Sequence, residues 1–340
     1  MKEVYLSTAR DFSSKKLESV KKSLSSAEKL FGQRVCVYAT GSYGRLEAGP
    51  SSDLDLFIVS DMIEKKSENG PKIERRLSGI DEIKLQYHLI SCVEENELPA
   101  FDGDGKYLSC HTFEEYVKYL GGPDDDAKNS LTGRLLLLLE SKPLLGVAEY
   151  DRLIGHVIEK YFLDHSANPK KFVPAFLFND ILRMWRTFCV NYEYKRKSGS
   201  AETKIKNLKL KYSRMLTCYS ALLFLLDAYS RNETVNQNDV RDMISKTPTE
   251  RLLAVSGNCN YLDEASREIV VSSLSRALSD YSEFLEFMHD DNNSTSIQAV
   301  EVHEEWRGKS YQFGEAMELA LSSIGRMDGK SSVLYRLVLI

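Results

Sequence analysis

The stretch YATGSYGRLEAGPSSDLDLFIVSD, residues 38–61, constrains the fold of this 340-residue chain most strongly. Ten residues separate the Gly41–Ser42 pair from Asp53, and one leucine separates Asp53 from Asp55. Side chains at positions i and i+2 of a strand point to the same face. The run DLDLFIVS, residues 53–60, therefore predicts a strand with both carboxylates on one face and the intervening leucines in the core. Two neighbouring carboxylates repel each other unless a cation lies between them.

Both halves of this stretch carry groups that suit a nucleoside triphosphate. Mg²⁺ commonly takes one or two carboxylates together with substrate phosphates. Glycine lets backbone N–H groups approach a phosphate closely, and Ser42 adds a hydroxyl. A helix that starts near Ser42 would aim its positive end at the phosphates, and Arg45 would add a charge-assisted contact. An ordinary turn and a solvated strand edge explain each half alone more often, but the combination favours a phosphoryl or nucleotidyl transferase.

The motif GSYGRLEAGPSSDLDLFIV resembles the signature of the DNA polymerase-β-like nucleotidyltransferases. Its nearest likeness is to the catalytic domain of the PII uridylyltransferase-like proteins. The segment DDDAKNSLTGRLLLLLESKPLLG, residues 124–146, is similar to the part of those proteins that follows the catalytic domain. The resemblance covers residues 30–146 and is strongest at 40–59.

The resemblance implies transfer of a nucleoside monophosphate from an NTP such as ATP, with Mg²⁺ or Mn²⁺ as cofactor and pyrophosphate as leaving group. It implies that Asp53 and Asp55 are catalytic and ligate the metal. Gly41 and Ser42 would hold the triphosphate, with Ser52 beside the first aspartate as a further nucleotide contact.

One expected feature of that superfamily is missing from the sequence pattern. A third carboxylate usually lies on the next strand, which we predict to be EIKLQYHLIS, residues 82–91, with Gln86 and His88 on the relevant face. Glu82 begins this segment, and Asp102 and Asp104 follow it in a loop. Either one of these acids substitutes, or the enzyme works with two acids, or the chain binds nucleotide without turnover.

The hydrophobic pattern changes near residue 112. Before it, short apolar runs and Gly/Pro-rich turns predict a small mixed sheet, with KSENGPKIERRLSG, residues 66–79, as a polar segment that becomes helical in its second half. After it, apolar residues recur three and four apart to the end of the chain. We predict an α+β protein: a polymerase-β-like nucleotidyltransferase domain over residues 1–115, then an all-α domain over residues 116–340.

Basic residues concentrate in the predicted helical domain. Residues 168–214 hold 12 Lys or Arg against three acids. The lysine-rich part of this segment is typical of a solvated surface. Arg183 and Arg186 lie amid apolar residues, so we expect them to contact the nucleotide phosphates. The alternative is an internal partner, Asp180 or Asn179. Arg134 has the same two explanations, a phosphate contact or a structural pair with Glu140.

Composition limits the compartment and the partners. The net charge of −5 argues against an enzyme that tracks long nucleic acid. The chain has no apolar run of about 20 residues, and its six scattered cysteines form no CxxC pair. We expect a cytoplasmic protein with no membrane contact and reduced thiols. The apolar segment at 331–340 is either a docked last element or a homodimer contact.

The leading prediction is a nucleotidyltransferase whose acceptor hydroxyl belongs to a protein, a small molecule or another nucleotide. A cyclic-dinucleotide or oligonucleotide synthase would use the same motif. The competing class is a non-catalytic nucleotide sensor or interaction protein, which the missing third acid favours.

Overall fold

The computed structural model describes residues 4–67, 70–101, 105, 108–127, 129–196, 201–290, 299–327 and 330–339. The chain divides into two compact units. Thr8–Lys160 forms the first, called the N-terminal unit below. Met1–Ser7 and Tyr161–Ile340 together form the second, called the helical unit.

The described part of the N-terminal unit contains a small sheet, a β-hairpin and several helices. The helices are α1 (Val4–Ser23, which starts in the helical unit), α2 (Ser25–Phe31), α3 (Gly41–Gly44), α4 (Gly79–Glu95), α5 (Phe113–Lys118), α6 (Pro123–Ala127), α7 (Ser130–Leu139) and α8 (Val147–Tyr161). The strands are β1 (Val35–Ala39), β2 (Leu56–Ser60), β3 (Met62–Ser67), β4 (Gly70–Arg75), β5 (Cys110–Thr112) and β6 (Lys142–Leu145).

Four of these strands form one mixed sheet in the order β5-β2-β1-β6. β1 runs antiparallel to β2 and to β6, whereas β2 and β5 are parallel. The central strand β1 is buried along its whole length, as its continuous apolar sequence requires. Apolar side chains of α1, α2 and α4 pack against this sheet, among them Leu17, Val20, Phe31, Leu85 and Leu89. The predicted α+β class with a small mixed sheet is confirmed.

The segment that we predicted as the third strand is a helix. EIKLQYHLIS lies inside α4, which Ser78 caps by accepting a hydrogen bond from the Asp81 N–H. The buried positions are Leu85, Leu89, Cys92 and Val93, spaced as on one helical face, while Tyr87 is 68% exposed. Apolar residues at 85, 87 and 89 fit a period of two, but only the longer window shows the helical period. The third strand of the sheet, which pairs with the free edge of β2 opposite β1, is β5 instead.

The polar segment after β2 is a β-hairpin rather than a helix. β3 and β4 pair antiparallel from Met62↔Arg75 to Ser67↔Gly70. Gly70 has a φ of +105°, a conformation that glycine adopts without a Cβ penalty. The Asn-Gly dipeptide at 69–70 is a general turn signal in the sequence.

The described part of the helical unit is built almost entirely from helices. They are α9 (Ala175–Lys195), α10 (Ala201–Lys209), a π-helical segment (Leu210–Arg214), α11 (Met215–Asn232), α12 (Gln237–Ser245), α13 (Pro248–Asn258), α14 (Glu264–His289), α15 (Val300–Gly325) and α16 (Val333–Leu339). Two short strands, β7 (Arg326–Met327) and β8 (Lys330–Ser331), pair before α16. The core is mostly aliphatic and includes an aromatic cluster, in which the Tyr212 and Phe284 rings stack with centroids 4.2 Å apart. Leu334 and Tyr335 of α16 are buried, so the last segment is docked.

The division between the two compact units falls after Lys160 in the sequence, whereas the sequence pattern predicted a domain boundary between residues 115 and 116. The difference arises because β6 lies after the predicted boundary and returns to pair with β1. α7 precedes β6 and is buried along most of its length. Helical periodicity therefore starts before the first unit ends.

Two further findings concern the chain as a whole. Over the residues described, no helix has both the length and the apolar character that a bilayer crossing requires. Among the described residues, none of the six cysteines forms a disulfide bond.

Candidate active site

The two halves of the Gly-Ser and Asp-Leu-Asp motif meet at one end of the sheet. Ala39, the last residue of β1, pairs with Leu56, the first residue of β2. The Thr40 N–H then donates a hydrogen bond of 2.8 Å to the carbonyl oxygen of Asp55. The chain that leaves β1 and the chain that enters β2 are therefore held side by side at the point where the motif residues lie.

Gly41 lies directly against the carboxylate of Asp55. A Cβ built at position 41 would lie 2.7 Å from Asp55 Oδ2, closer than real Cβ contacts. Gly41 also has a φ of +63°, in the left-handed region that disfavours other residues. Both observations explain why a residue without a side chain stands here.

The two aspartates project to the same exposed side. Asp53 and Asp55 are exposed, whereas Leu54 and Leu56 are 4% and 6% exposed. The predicted alternation is therefore present, although β2 itself begins at Leu56 and the aspartates occupy the extended segment before it. The segment is fixed by its backbone contact to Thr40 and by the burial of its two leucines.

The turn after Gly41 is a single helical turn, α3. Its backbone N–H groups bond back into the turn, with Gly44 N–H to Thr40 O and Arg45 N–H to Gly41 O at 3.1 and 3.0 Å. A Cβ at Gly44 would lie 2.1 Å from the backbone oxygen of Glu140, so α3 is packed directly on the chain that follows α7. Four residues are too short for the helix-dipole contribution that the sequence analysis expected.

Tyr43 is a site residue that the sequence analysis missed. Its side chain is 1% exposed, and within the described chain its hydroxyl has no hydrogen-bond partner. Burial, together with the negative charge of Asp53, raises the pKa of Tyr43 to about 12. The phenol is therefore neutral at physiological pH and lies close enough to Asp53 to respond to its charge. An aromatic residue between two motif glycines was the available signal.

Arg45 does not extend toward a ligand. The side chain is buried, and its guanidinium donates to Glu47 Oε2 at 2.7 Å and to Glu140 Oε2 at 2.8 Å. The Arg45 guanidinium, which we expected at the triphosphate, is therefore paired with two carboxylates. Arg45 instead connects the motif loop to the chain after α7.

Ser42 and Ser52 keep access to solvent. Both are partly exposed. The Ser52 hydroxyl accepts a hydrogen bond from the Gly49 N–H at 2.9 Å, which closes the turn ahead of Asp53. That hydroxyl retains its own proton for donation.

Arg134 is structural, with a partner different from the one expected. It is fully buried and forms a two-pronged ion pair with Asp125 at 2.8 Å for each contact. A further hydrogen bond goes to the carbonyl oxygen of Tyr116. Glu140, the partner that we expected, binds Arg45 instead.

The described residues do not supply the third carboxylate. Glu82 lies in α4, where it pairs with Arg75 and accepts the N–H of Cys110 at the edge of β5. Gln86 donates to the Leu108 carbonyl, and the His88 ring lies edge-on to the Phe31 ring, with centroids 6.3 Å apart. Asp102 and Asp104 lie outside the described residues. Within the described chain, no three His, Cys, Asp or Glu side chains cluster as metal ligands.

The donor set at Asp53 and Asp55 nevertheless fits a divalent cation that arrives with its nucleotide. The exposed carboxylates supply hard oxygen ligands side by side, and Mg²⁺ is often bound by two carboxylates plus substrate phosphates. Asp53 and Asp55 would hold the ion, which would screen their mutual repulsion.

Arg183 and Arg186 belong to the helical unit. Arg183 is 31% exposed in its side chain and lies 3.4 Å from Asp180, the internal partner that the sequence analysis named as the alternative. Arg186 is exposed. The sequence pattern indicated that both arginines are buried, but neither is. A nucleotide contact for either one stays a prediction.

The comparisons with known proteins match one part of the chain. Residues 17–101 match the family model described as a nucleotidyltransferase domain. No curated protein and no solved structure shows a significant match to the chain. Over residues 17–101, which contain Gly41, Asp53 and Asp55, this chain is similar to nucleotidyltransferase domains.

Proposed function

We propose that this protein is a divalent-cation-dependent nucleotidyltransferase. It would transfer a nucleoside monophosphate from an NTP to an acceptor hydroxyl and release pyrophosphate. The observation that carries the proposal is the contact between Gly41 and the Asp55 carboxylate, which joins the Gly-Ser turn to the aspartate pair inside the segment that matches the family model.

Each motif residue has a role in this proposal. Asp53 and Asp55 hold Mg²⁺ or Mn²⁺, which would neutralise phosphate charge and lower the pKa of the acceptor hydroxyl. The backbone at Gly41 gives the triphosphate a close approach, and the Ser42 hydroxyl donates to a phosphate oxygen. Ser52 contacts the nucleotide from the neighbouring turn. Tyr43 stays neutral and adds no negative charge beside Asp53.

The acceptor in this proposal is a protein or a small molecule rather than a long nucleic acid. The net charge of −5 and the isoelectric point near 5.8 support that choice, because enzymes that track nucleic acid carry a basic surplus. The choice of ATP over other NTPs is a prediction that the experiment below addresses. The likeness to the PII uridylyltransferase-like subtype, a homodimer and a cytoplasmic location stay predictions.

Release of pyrophosphate from each labelled NTP, with Mg²⁺ or Mn²⁺ present, tests the activity. The chain itself, a second nucleotide and a pool of small hydroxyl compounds serve as acceptors. We expect Asp53→Asn and Asp55→Asn each to lower the rate by about 100-fold or more, because each removes a carboxylate that would hold the divalent cation, and that cation would neutralise charge on the transferring phosphoryl group. Asp151→Asn is the matched control, since Asp151 is an exposed aspartate of the same unit.

A nucleotide sensor without turnover is the second candidate. It is favoured by the absence of a third acidic ligand among the described residues. The sensor would bind an NTP, seen as a rise in Tm with nucleotide and Mg²⁺, yet release no pyrophosphate with any acceptor. Pyrophosphate release that Asp53→Asn abolishes would exclude the sensor.

A further inference from the structure

The helical unit contains a cavity with a basic lining. Its volume is about 370 Å³, within the range of about 300–1,000 Å³ typical of small-molecule sites. The lining includes Arg196 after α9, Asn207 of α10, Lys211 of the π-helical segment, and His303 and Arg307 of α15. Three permanent cations and one carboxylate, that of Glu193, thus line the cavity.

The three cations are free to exchange their present contacts for a ligand. Arg196 pairs with Glu193 at 3.2 Å, and both side chains are at least 60% exposed. Arg307 pairs with Glu304 at 2.6 Å, with both 46% exposed. Exposed ion pairs of this kind contribute little to stability. The Lys211 ammonium lies 3.9 Å from the centroid of the Tyr311 ring, and it forms no ion pair within the described part of the chain.

The cavity also contains buried polar atoms without partners. Asn207 is 8% exposed, and its side-chain oxygen has no hydrogen-bond partner within the described residues. The Nε2 atom of His303 is likewise buried and unpartnered there. Burial lowers the pKa of His303, so its ring is neutral at physiological pH. Unpartnered polar groups cost stability unless a ligand or water satisfies them.

We propose that this cavity binds a small phosphate-bearing molecule. Arg196, Lys211 and Arg307 hold the phosphate, since guanidinium and ammonium groups match its charge and its acceptor oxygens. Asn207 and His303 hydrogen-bond the rest of the molecule. A cavity of about 370 Å³ suits a small ligand rather than a nucleic acid, which would need an extended basic groove. The site shares no residue with the Gly41–Asp55 site and does not depend on the transferase activity.

Isothermal titration of the full chain with inorganic pyrophosphate, and separately with AMP, tests this site. EDTA is present throughout, so that no divalent ion can hold phosphate at Asp53 and Asp55. The test variant is the double substitution Lys211→Gln with Arg307→Gln. The control is Lys170→Gln with Arg241→Gln, which removes the same charge from exposed positions of the same unit outside the cavity lining.

We expect saturable binding of at least one of these two probes, with Kd raised about tenfold or more by the cavity variant. The exposed control and the Asp53→Asn/Asp55→Asn variant should bind as the wild type does. The proposal is overturned if neither probe binds saturably, or if the cavity variant binds as tightly as the control. Loss of binding in the aspartate variant, or tighter binding of a single-stranded RNA oligonucleotide, would also overturn it.

Discussion

Replacement of Gly41 by alanine separates the two roles that the structure gives this residue. The φ of +63° costs an L-residue about 1–2 kcal/mol. For a unit of this size, about 1 kcal/mol corresponds to about 2–4 °C, so we expect Tm to fall by about 2–8 °C. The clash adds little to this loss, because the atom in the way is the end of the flexible Asp55 side chain.

The larger effect of Gly41→Ala should fall on activity. A Cβ at 2.7 Å from Oδ2 forces the Asp55 carboxylate to move by about 0.5 Å or more to reach a normal contact distance. Displacements on the order of 1 Å cost up to about 100-fold in rate. Urea denaturation and pyrophosphate release, measured on the same preparation, report the two effects separately.

Gly79→Ala is the control for this substitution. Gly79 starts α4 in the same unit, and a Cβ there would meet no atom within 4 Å. Alanine at a helical position of this kind is neutral or stabilising by up to about 1 kcal/mol. If Gly41→Ala keeps both the stability and the rate of the Gly79→Ala protein, the contact between position 41 and Asp55 does not have the importance that we assign to it.

Three further predictions concern stability. Gly44→Ala should cost about 3 kcal/mol or more in urea denaturation, because its Cβ would lie 2.1 Å from a backbone oxygen that cannot rotate away; wild-type stability would contradict this. Asp125→Asn removes the carboxylate partner of the buried Arg134 and should cost about 3–5 kcal/mol, whereas a cost below about 1 kcal/mol would show that the pair contributes little. Burial lowers the pKa of His289 from 6.5 to about 4, so the unfolded state alone takes up a proton as the pH falls through this range. Tm should therefore fall as the pH is lowered from 6.5 toward 4, and His289→Gln should make Tm less dependent on pH. If Tm of this variant falls with pH as steeply as that of the wild type, His289 is not the cause.

The motif residues were predictable because their constraints are local. The spacing of Asp53 and Asp55 fixes their common face, and burial of the alternate leucines follows from the same period of two. The left-handed conformation of Gly41 was not predicted, but a glycine tolerates it because it has no Cβ.

The partners of the buried charges were not predictable from the sequence. Arg45 binds Glu140, which lies 95 positions away, and Arg134 binds Asp125 rather than the acid six residues after it. Such pairs depend on how α3, α6 and α7 pack, which no local pattern encodes. Arg45 had the residue type and the position of a phosphate ligand, yet its surroundings make it structural.

The misassigned third strand shows a limit of short windows. Over residues 85–89 the apolar residues fit a strand, and the helical period becomes visible only when Cys92 and Val93 are included. The real third strand, β5, is three residues long, too short for a periodic signal. This error placed Gln86 and His88 beside the aspartates, where neither side chain lies.

The most direct test of the central claim is a crystal structure of the protein with Mg²⁺ and a non-hydrolysable NTP analogue. We predict a Mg²⁺ ion within about 2.1 Å of carboxylate oxygens from both Asp53 and Asp55, with the triphosphate against the Gly41–Ser42 backbone. A nucleotide bound elsewhere, with both carboxylates free of metal, would contradict the account.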